Sequence, residues 1–369
     1  MSPIHTYALA TKEATPTISR ALAALHPHLP TSLPLYRRLQ SGRFFAATCL
    51  LSNLDLHAPA NEEPNSHDTP WTIAFADRSC RPETEVWLFG SWEAAPPAPE
   101  ATEAWHAIDN LVLELVEAMK ALPIPTSIHH HQATTETPNG AEAITTPTAN
   151  ATADRDASGH TRTDYADHAA NASIMLWGAV HESTFHVLQR LALLSPEHKA
   201  VEEPNHTFIF DIAALPPPQT SPLPEGLRWA AVRGADFALV KSRTQIPRQT
   251  RTMAVLPSLA LYPAPTPAAD GDGDVAEAAP IAWAFIGLDS SLTTLHVEPA
   301  YRGQGLAKLL SAKIFREGMA HFHTDDEAVD RMALGFVQVG NKASEGMCRS
   351  LGGKADWRAY WLRVDLSRT

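Results

Sequence analysis

The chain has 369 residues, 44% of them hydrophobic, and a formal net charge of -12. That length exceeds one ordinary core, so two domains are expected. The acidic balance argues against a protein that tracks nucleic-acid phosphates, which needs a basic face, and the three cysteines, Cys49, Cys80 and Cys348, are too few for a disulfide framework and fit a reducing compartment.

The opening residues hold no basic segment followed by an apolar run, so no secretory signal is expected. No stretch approaches the ~20 apolar residues of a membrane helix. Together these predict a soluble, cytoplasmic protein with no membrane partner. Residues 43–51, 71–77 and 85–92 are rich in aromatic and β-branched side chains and predict strands. Ile108, Leu111, Leu115 and Met119 recur at helical spacing and predict a helix over 105–122. From Pro123 to about Ala170 large apolar residues are scarce, so a disordered insertion is expected there. A strand over 173–180, a helix over 181–194 and a strand over 207–212 follow. Pro216–Pro224 predicts a stiff linker, dividing the chain into domains 1–215 and 220–369.

The second domain predicts a strand at 227–232, helices at 235–242 and 247–256, and antiparallel strands at 258–262, 281–288 and 292–297. Next come a helix from Gly305 to about Met319, a strand at 332–339, a helix at 342–351 and closing strands at 354–357 and 360–366. Residues 264–280 and 321–330 lack hydrophobic period and predict loose insertions. The fold class is α/β (α+β), with a mixed, mostly antiparallel sheet and flanking helices. Both halves run through a similar order of elements, which suggests an internal duplication.

The most informative stretch is LTTLHVEPAYRGQGLAKLL, residues 292–310. It is a strand, a turn at Pro299, a glycine-spaced loop and a helix start. Gly303 and Gly305 remove side chains where a ligand must approach the backbone. The helix beyond offers free N–H groups and a positive dipole end, an anion site suited to a pyrophosphate. Asn341, after the next strand, opens a second helix with Ser344 three residues on; by position alone it is a helix cap.

Arg302, Gly305 and Ala307 match the pyrophosphate motif of GNAT acyltransferases, an arginine or glutamine, then glycine three residues on, then glycine or alanine two beyond that. Residues 220–369 thus resemble an acyl-CoA-binding GNAT domain. The tandem layout looks like the glycine N-acyltransferase-like branch, with a degenerate GNAT-like domain in front. The amino-terminal half carries EAAPPAPEATEA where a glycine-spaced loop is due, so only the second domain is expected to hold CoA. The resemblance implies that Leu295, His296, Val297, Arg302, Gly303, Gln304, Gly305, Leu306, Ala307, Asn341 and Ser344 contact acetyl-CoA or another acyl-CoA, and that no metal takes part.

In such enzymes an amine attacks the thioester directly, and strand N–H groups polarise its carbonyl. The implied base position is Ser291 and the implied acid position Cys348, both departures from the family's usual residues; Asp289 is a candidate acting through water. Strand alternation predicts Ser291, Thr293, Leu295 and Val297 on one face and His296 on the other. The expected acceptor is a small-molecule amine or amino acid, handled by a monomer or homodimer. The alternatives are an acyl-CoA sensor without turnover and a protein-lysine acetyltransferase. Three adjacent histidines, residues 129–131, and the pair His181 and His186 lack metal-site spacing.

Overall fold

The computed structural model describes residues 2–11, 14–57, 69–125, 167–197, 203–217, 223, 225–244, 246, 248–264, 278–324 and 326–369. Most of the first two predicted insertions, and most of the predicted linker, lie outside these.

The first half lays down β1 (His5–Ala8), α1 (Ala14–Leu25), α2 (Leu33–Gln40), β2 (Cys49–Ser52), β3 (Thr72–Ala76) and β4 (Val86–Gly90). Then follow α3 (Ser91–Ala94), α4 (Thr102–Lys120), β5 (Ile174–His181), α5 (Glu182–Arg190) and β6 (Asn205–Asp211). The second half repeats the scheme with β7 (Leu227–Ala230), α6 (Phe237–Ser242), α7 (Thr250–Met253), β8 (Ser258–Pro263), β9 (Ala282–Ile286) and β10 (Ser291–Val297). It ends with α8 (Leu306–Glu317), α9 (Glu327–Asp330), β11 (Met332–Gln338), α10 (Lys342–Ser350) and β12 (Lys354–Asp365).

Among the described residues the strands form one sheet, ordered β1-β2-β3-β4-β5-β12-β6-β11-β10-β9-β8-β7. Each half is an antiparallel meander of four strands whose last strand meets the next in parallel, β4 with β5 and β10 with β11. At the centre the halves exchange strands. β6 leaves the first half and pairs with β11, while β12 leaves the second and pairs with β5. The two exchanged strands then pair with each other. The cores follow the exchange: Phe208 and Phe210 of β6 pack with α8, and Leu362 and Val364 of β12 pack with α4 and α5.

Several elements differ from the sequence expectation. The strand predicted over 43–51 begins only at Cys49, because Phe45 N–H donates to Thr48 Oγ1 and Thr48 N–H returns to Phe45 O, closing a turn. The two closing strands are one strand, β12, bent by a register shift between Ala355 and Arg358 where it passes from β6 to β5.

The described residues of 321–330 are not loose. Phe322 and Val329 are each 1% exposed, and Val329 enters the core beneath α1 and α2. Their chief tie is Arg37 of α2, fully buried, which donates to the carbonyls of Phe322 (2.8 Å), Val329 (2.5 Å) and Met332 (3.0 Å). A guanidinium carries donors in a fixed fork, so one residue serves three carbonyls at once. Removing it strands those carbonyls. Arg37→Ala is therefore expected to lower the unfolding free energy by about 3 kcal/mol, read from the midpoint of a urea transition at constant slope. A loss below about 1 kcal/mol would mean that water replaces the guanidinium at little cost.

Candidate active site

β10 and β11 stay together only at their start, with Ser291 opposite Leu334 and Leu292 opposite Gly335. Beyond Leu292 they diverge, while β10 keeps its pairing to β9 as far as Val297 opposite Ala282. One edge of β10 from Thr293 onward is thus free of a strand partner, and residues 292–298 are all half-buried. A strand edge of this kind presents unpaired N–H and C=O groups to whatever occupies the opening.

The phosphate-loop residues stand at the wide end of this opening. Gly303 has φ 77° and Gly305 φ 76°, both left-handed, and a Cβ built at either meets no atom within 4 Å. Gly305 caps α8 without a side-chain bond, and the first turn of α8 carries no acid. The N–H groups of Leu306, Ala307 and Lys308 have no partner within the helix. Arg302 is exposed and its Nε donates to Val297 O at 2.9 Å, tying the loop back to the end of β10. Gln304 is exposed as well, and Leu306 is buried beneath the helix. The residues thus form an open cradle for an anion at a helix start. Asn341 is exposed across the opening and its Oδ1 accepts from Ser344 N–H at 3.2 Å, capping α10.

The equivalent place in the first half is filled. Trp92 of α3 is 1% exposed and folds back so closely that a Cβ at Gly90 would sit 2.3 Å from its ring. Its Nε1 donates to Thr184 Oγ1 at 3.0 Å, and Thr184 in turn donates to the buried Glu93 at 2.5 Å. Burial pushes the Glu93 carboxyl up to about 8, with the Thr184 bond opposing. The following helix, α4, has Glu103 in its first turn. Indole, carboxyl and an acidic helix start occupy the region where the second half leaves open glycines.

The proposed catalytic trio is dispersed. Asp289 and Ser291 are 7% and 6% exposed, at the turn where β10 begins. Asp289 Oδ1 accepts from Ser291 N–H at 3.0 Å and from its Oγ at 2.5 Å, so the pair closes the β9–β10 turn at the narrow end of the opening. Cys348 is 2% exposed in the core shared with α8, and burial pushes its thiol up to about 12. A thiol so weakly acidic is poorly matched to protonating a thiolate, whose ordinary range lies near ~8.5.

The alternation predicted for β10 is broken by a bulge. Thr293 stands opposite Phe285 and His296 opposite Trp283, so three steps on β10 answer two on β9. Thr294, with φ 53°, absorbs the extra residue. The bulge reverses the parity beyond it. Leu292, Leu295 and Val297 pack toward α8, while Thr293 and His296 share the opposite face with Trp283 and Phe285. His296 therefore joins Thr293, contrary to the alternation.

His296 stacks on Trp283, ring centroids 4.7 Å apart at 22°. Its Nε2 lies 3.7 Å from Glu298 Oε2, and Glu298 Oε1 accepts from Arg243 Nε at 2.9 Å. Burial lowers the His296 pKa below its ordinary value, and the Glu298 charge partly opposes that shift. A neutral imidazole beside an anchored carboxylate is suited to take a proton. The pattern gave one clue: a histidine and a glutamate two residues apart just before Pro299.

The family model for the acyl-CoA N-acyltransferase verG N-terminal domain matches residues 4–209 of the chain. That match lies in the half whose anion position is filled. Among solved structures the chain is similar to a Drosophila protein, with a TM-score of 0.53, 12% identity and 99% of each chain covered. At that identity the likeness shows the fold alone. Weaker likenesses are a tandem GNAT protein from the clavulanic acid biosynthesis pathway, TM-score 0.46, 11% identity, 98% of each chain covered, and a GCN5-related N-acetyltransferase from Sphaerobacter thermophilus, TM-score 0.43, 11% identity, covering 98% of this chain and 96% of that one. No curated protein matches the chain in sequence.

Proposed function

The chain belongs to the family described as the acyl-CoA N-acyltransferase verG N-terminal domain, and from that premise we propose that residues 220–369 hold a working site of GNAT type while 1–215 serve as its scaffold. The observation that carries this reading is one conjunction: the open glycine cradle at α8 adjoins the unpaired edge of β10. An anionic carrier seated at Gly303–Ala307 has its arm directed along that edge, past Leu295 and toward Asn341 and Ser344.

Acyl-CoA supplies a thioester, and the acceptor is an amine of a small molecule or amino acid. The nitrogen attacks the carbonyl carbon, the C–N bond forms, the C–S bond breaks, and the thiolate leaves with the bonding pair. The free N–H edge of β10 stabilises charge on the carbonyl oxygen. His296 takes the proton that the nitrogen sheds, with Glu298 and Arg243 holding it in place. Asp289 and Ser291 keep the β9–β10 turn closed and so fix where β10 and β11 part. The departing thiolate is protonated by solvent, Cys348 remaining in the core. Most of the acceleration comes from holding two reactants together.

The test is release of free CoA from acetyl-CoA across small amines, amino acids and basic peptides. Acceptor-dependent release is expected. No release with any acceptor, alongside tight acetyl-CoA binding in calorimetry, would instead mark a ligand sensor. Failure to bind any CoA species would sink the reading.

A further inference from the structure

Arg248 lies between α6 and α7, against the face of β10 that carries Thr293 and His296. Its Nη2 donates to Thr293 Oγ1 at 2.7 Å, and its Nε is shut off from solvent with no hydrogen-bond partner. Among the described residues no carboxylate forms an ion pair with it. Two acids act on it through space, Glu83 and Asp289. Glu83 is engaged through both oxygens and Asp289 through one. Glu83 Oε1 accepts from Gln249 N–H at 2.8 Å and its Oε2 from Thr252 Oγ1 at 2.6 Å. Asp289 Oδ1 is taken up by Ser291.

Two fully buried guanidiniums in the chain are better served. Arg37 has three carbonyls and Gln40 Oε1. Arg38 lies 4.0 Å from the Phe75 ring centroid and donates to Ser41 Oγ and Arg43 O. Arg248 has one hydroxyl for a group with five donors. Arg248 is half-buried, and only its Nε is closed off from solvent, so the outer face of the guanidinium is left for another group. A ligand can fill the donors left over, and a guanidinium matches a carboxylate two bonds at a time.

Its position bears on what that ligand is. Thr293 is the last residue before the bulge, and Leu295 follows two residues on. At a rise of about 3.3 Å per residue the two lie roughly 7 Å apart at most. A carboxylate held at Arg248 thus sets an amine one or two carbons away near the free edge of β10. It enters from the face opposite α8, where His296 also stands.

We propose that Arg248, together with Thr293, binds the carboxylate of the acceptor, so that the substrates are amino acids or other short amino carboxylates rather than simple amines or lysine side chains. This rests on the transfer reading given above and deepens it.

The experiment compares amino acids with their own amides, glycine against glycinamide and alanine against alaninamide, in wild type, Arg248→Lys and Arg248→Gln. Wild type is expected to favour the acids by roughly 10- to 100-fold in kcat/KM, the range of a charged hydrogen-bonded contact. Arg248→Gln abolishes that preference through KM for the acceptor while KM for acyl-CoA holds, and Arg248→Lys is intermediate. Equal use of acid and amide by wild type, or a preference that survives in Arg248→Gln, would overturn the proposal and leave the transfer reading standing. Should no acceptor turn over, the transfer reading fails by itself. Calorimetry with N-acetylglycine then decides: binding to wild type but not to Arg248→Gln sustains the carboxylate site, and absent or unchanged binding rejects it.

Discussion

Gly305→Trp is expected to weaken acyl-CoA binding by at least about 100-fold, some 2.7 kcal/mol, in a protein that still folds. The two halves of that expectation come from different observations. A Cβ at this position meets no atom within 4 Å, so the indole has room in the ligand-free protein. The left-handed backbone, φ 76°, costs a side chain about 1–2 kcal/mol, within the reach of a native domain. The indole then stands at the mouth of the helix start, where a pyrophosphate must meet the N–H groups of α8. Gly42→Trp is the matched control, since Gly42 also has positive φ, 62°, but lies in the first half. Calorimetry with CoA reads the effect. Equal affinity in Gly305→Trp and Gly42→Trp would remove the loop from the site.

His296→Ala is expected to reduce kcat by about 100- to 1,000-fold, within the range of acid–base contributions, with KM for acyl-CoA little changed. The pH profile gives the discriminating readout. The imidazole works as a base only when neutral, and burial favours the neutral form, placing its pKa below the ordinary ~6.5. Wild-type kcat is therefore flat through neutrality and falls as pH drops through that lowered value. Glu298 raises the His296 pKa. Removing its charge in Glu298→Gln lets the pKa fall further, so the acid limb moves to lower pH. An acid limb that stays in place in Glu298→Gln, or a kcat that His296→Ala leaves untouched, would take the proton transfer away from this residue.

The loop and its flanks were legible in the sequence because each carries local punctuation. Pro299 ends a strand, Gly303 and Gly305 shape a loop, and apolar spacing marks α8. The strands 72–76 and 174–181 were also legible, being nearly unbroken apolar runs buried on both faces. The bulge was not. Thr294 takes a left-handed φ that propensity assigns to glycine or asparagine, and only the pairing with β9 requires it. One unmarked residue thus moved His296 to the other face and changed the candidate base. The segment 321–330 was illegible for a related reason. Its anchors are two isolated apolar residues and an arginine nearly 300 positions earlier in the chain, and no window in the sequence holds both ends. Arg248 gave no signal, because its distinction is its place against Thr293, which only the fold supplies.

The exchange of β6 and β12 has a consequence for how the protein is made. Synthesis runs from the amino terminus, so β5 leaves the ribosome long before its neighbour β12 exists, and β6 emerges before β11. The early product holds a meander, its helices and three strand edges without their mates, one on β5 and both on β6, the condition in which chains stick to one another. Completion comes only with β12, which closes the seam for both halves in one event. A chain truncated before Lys354 therefore lacks not a tail but the central staple, and the damage falls first on the half already built.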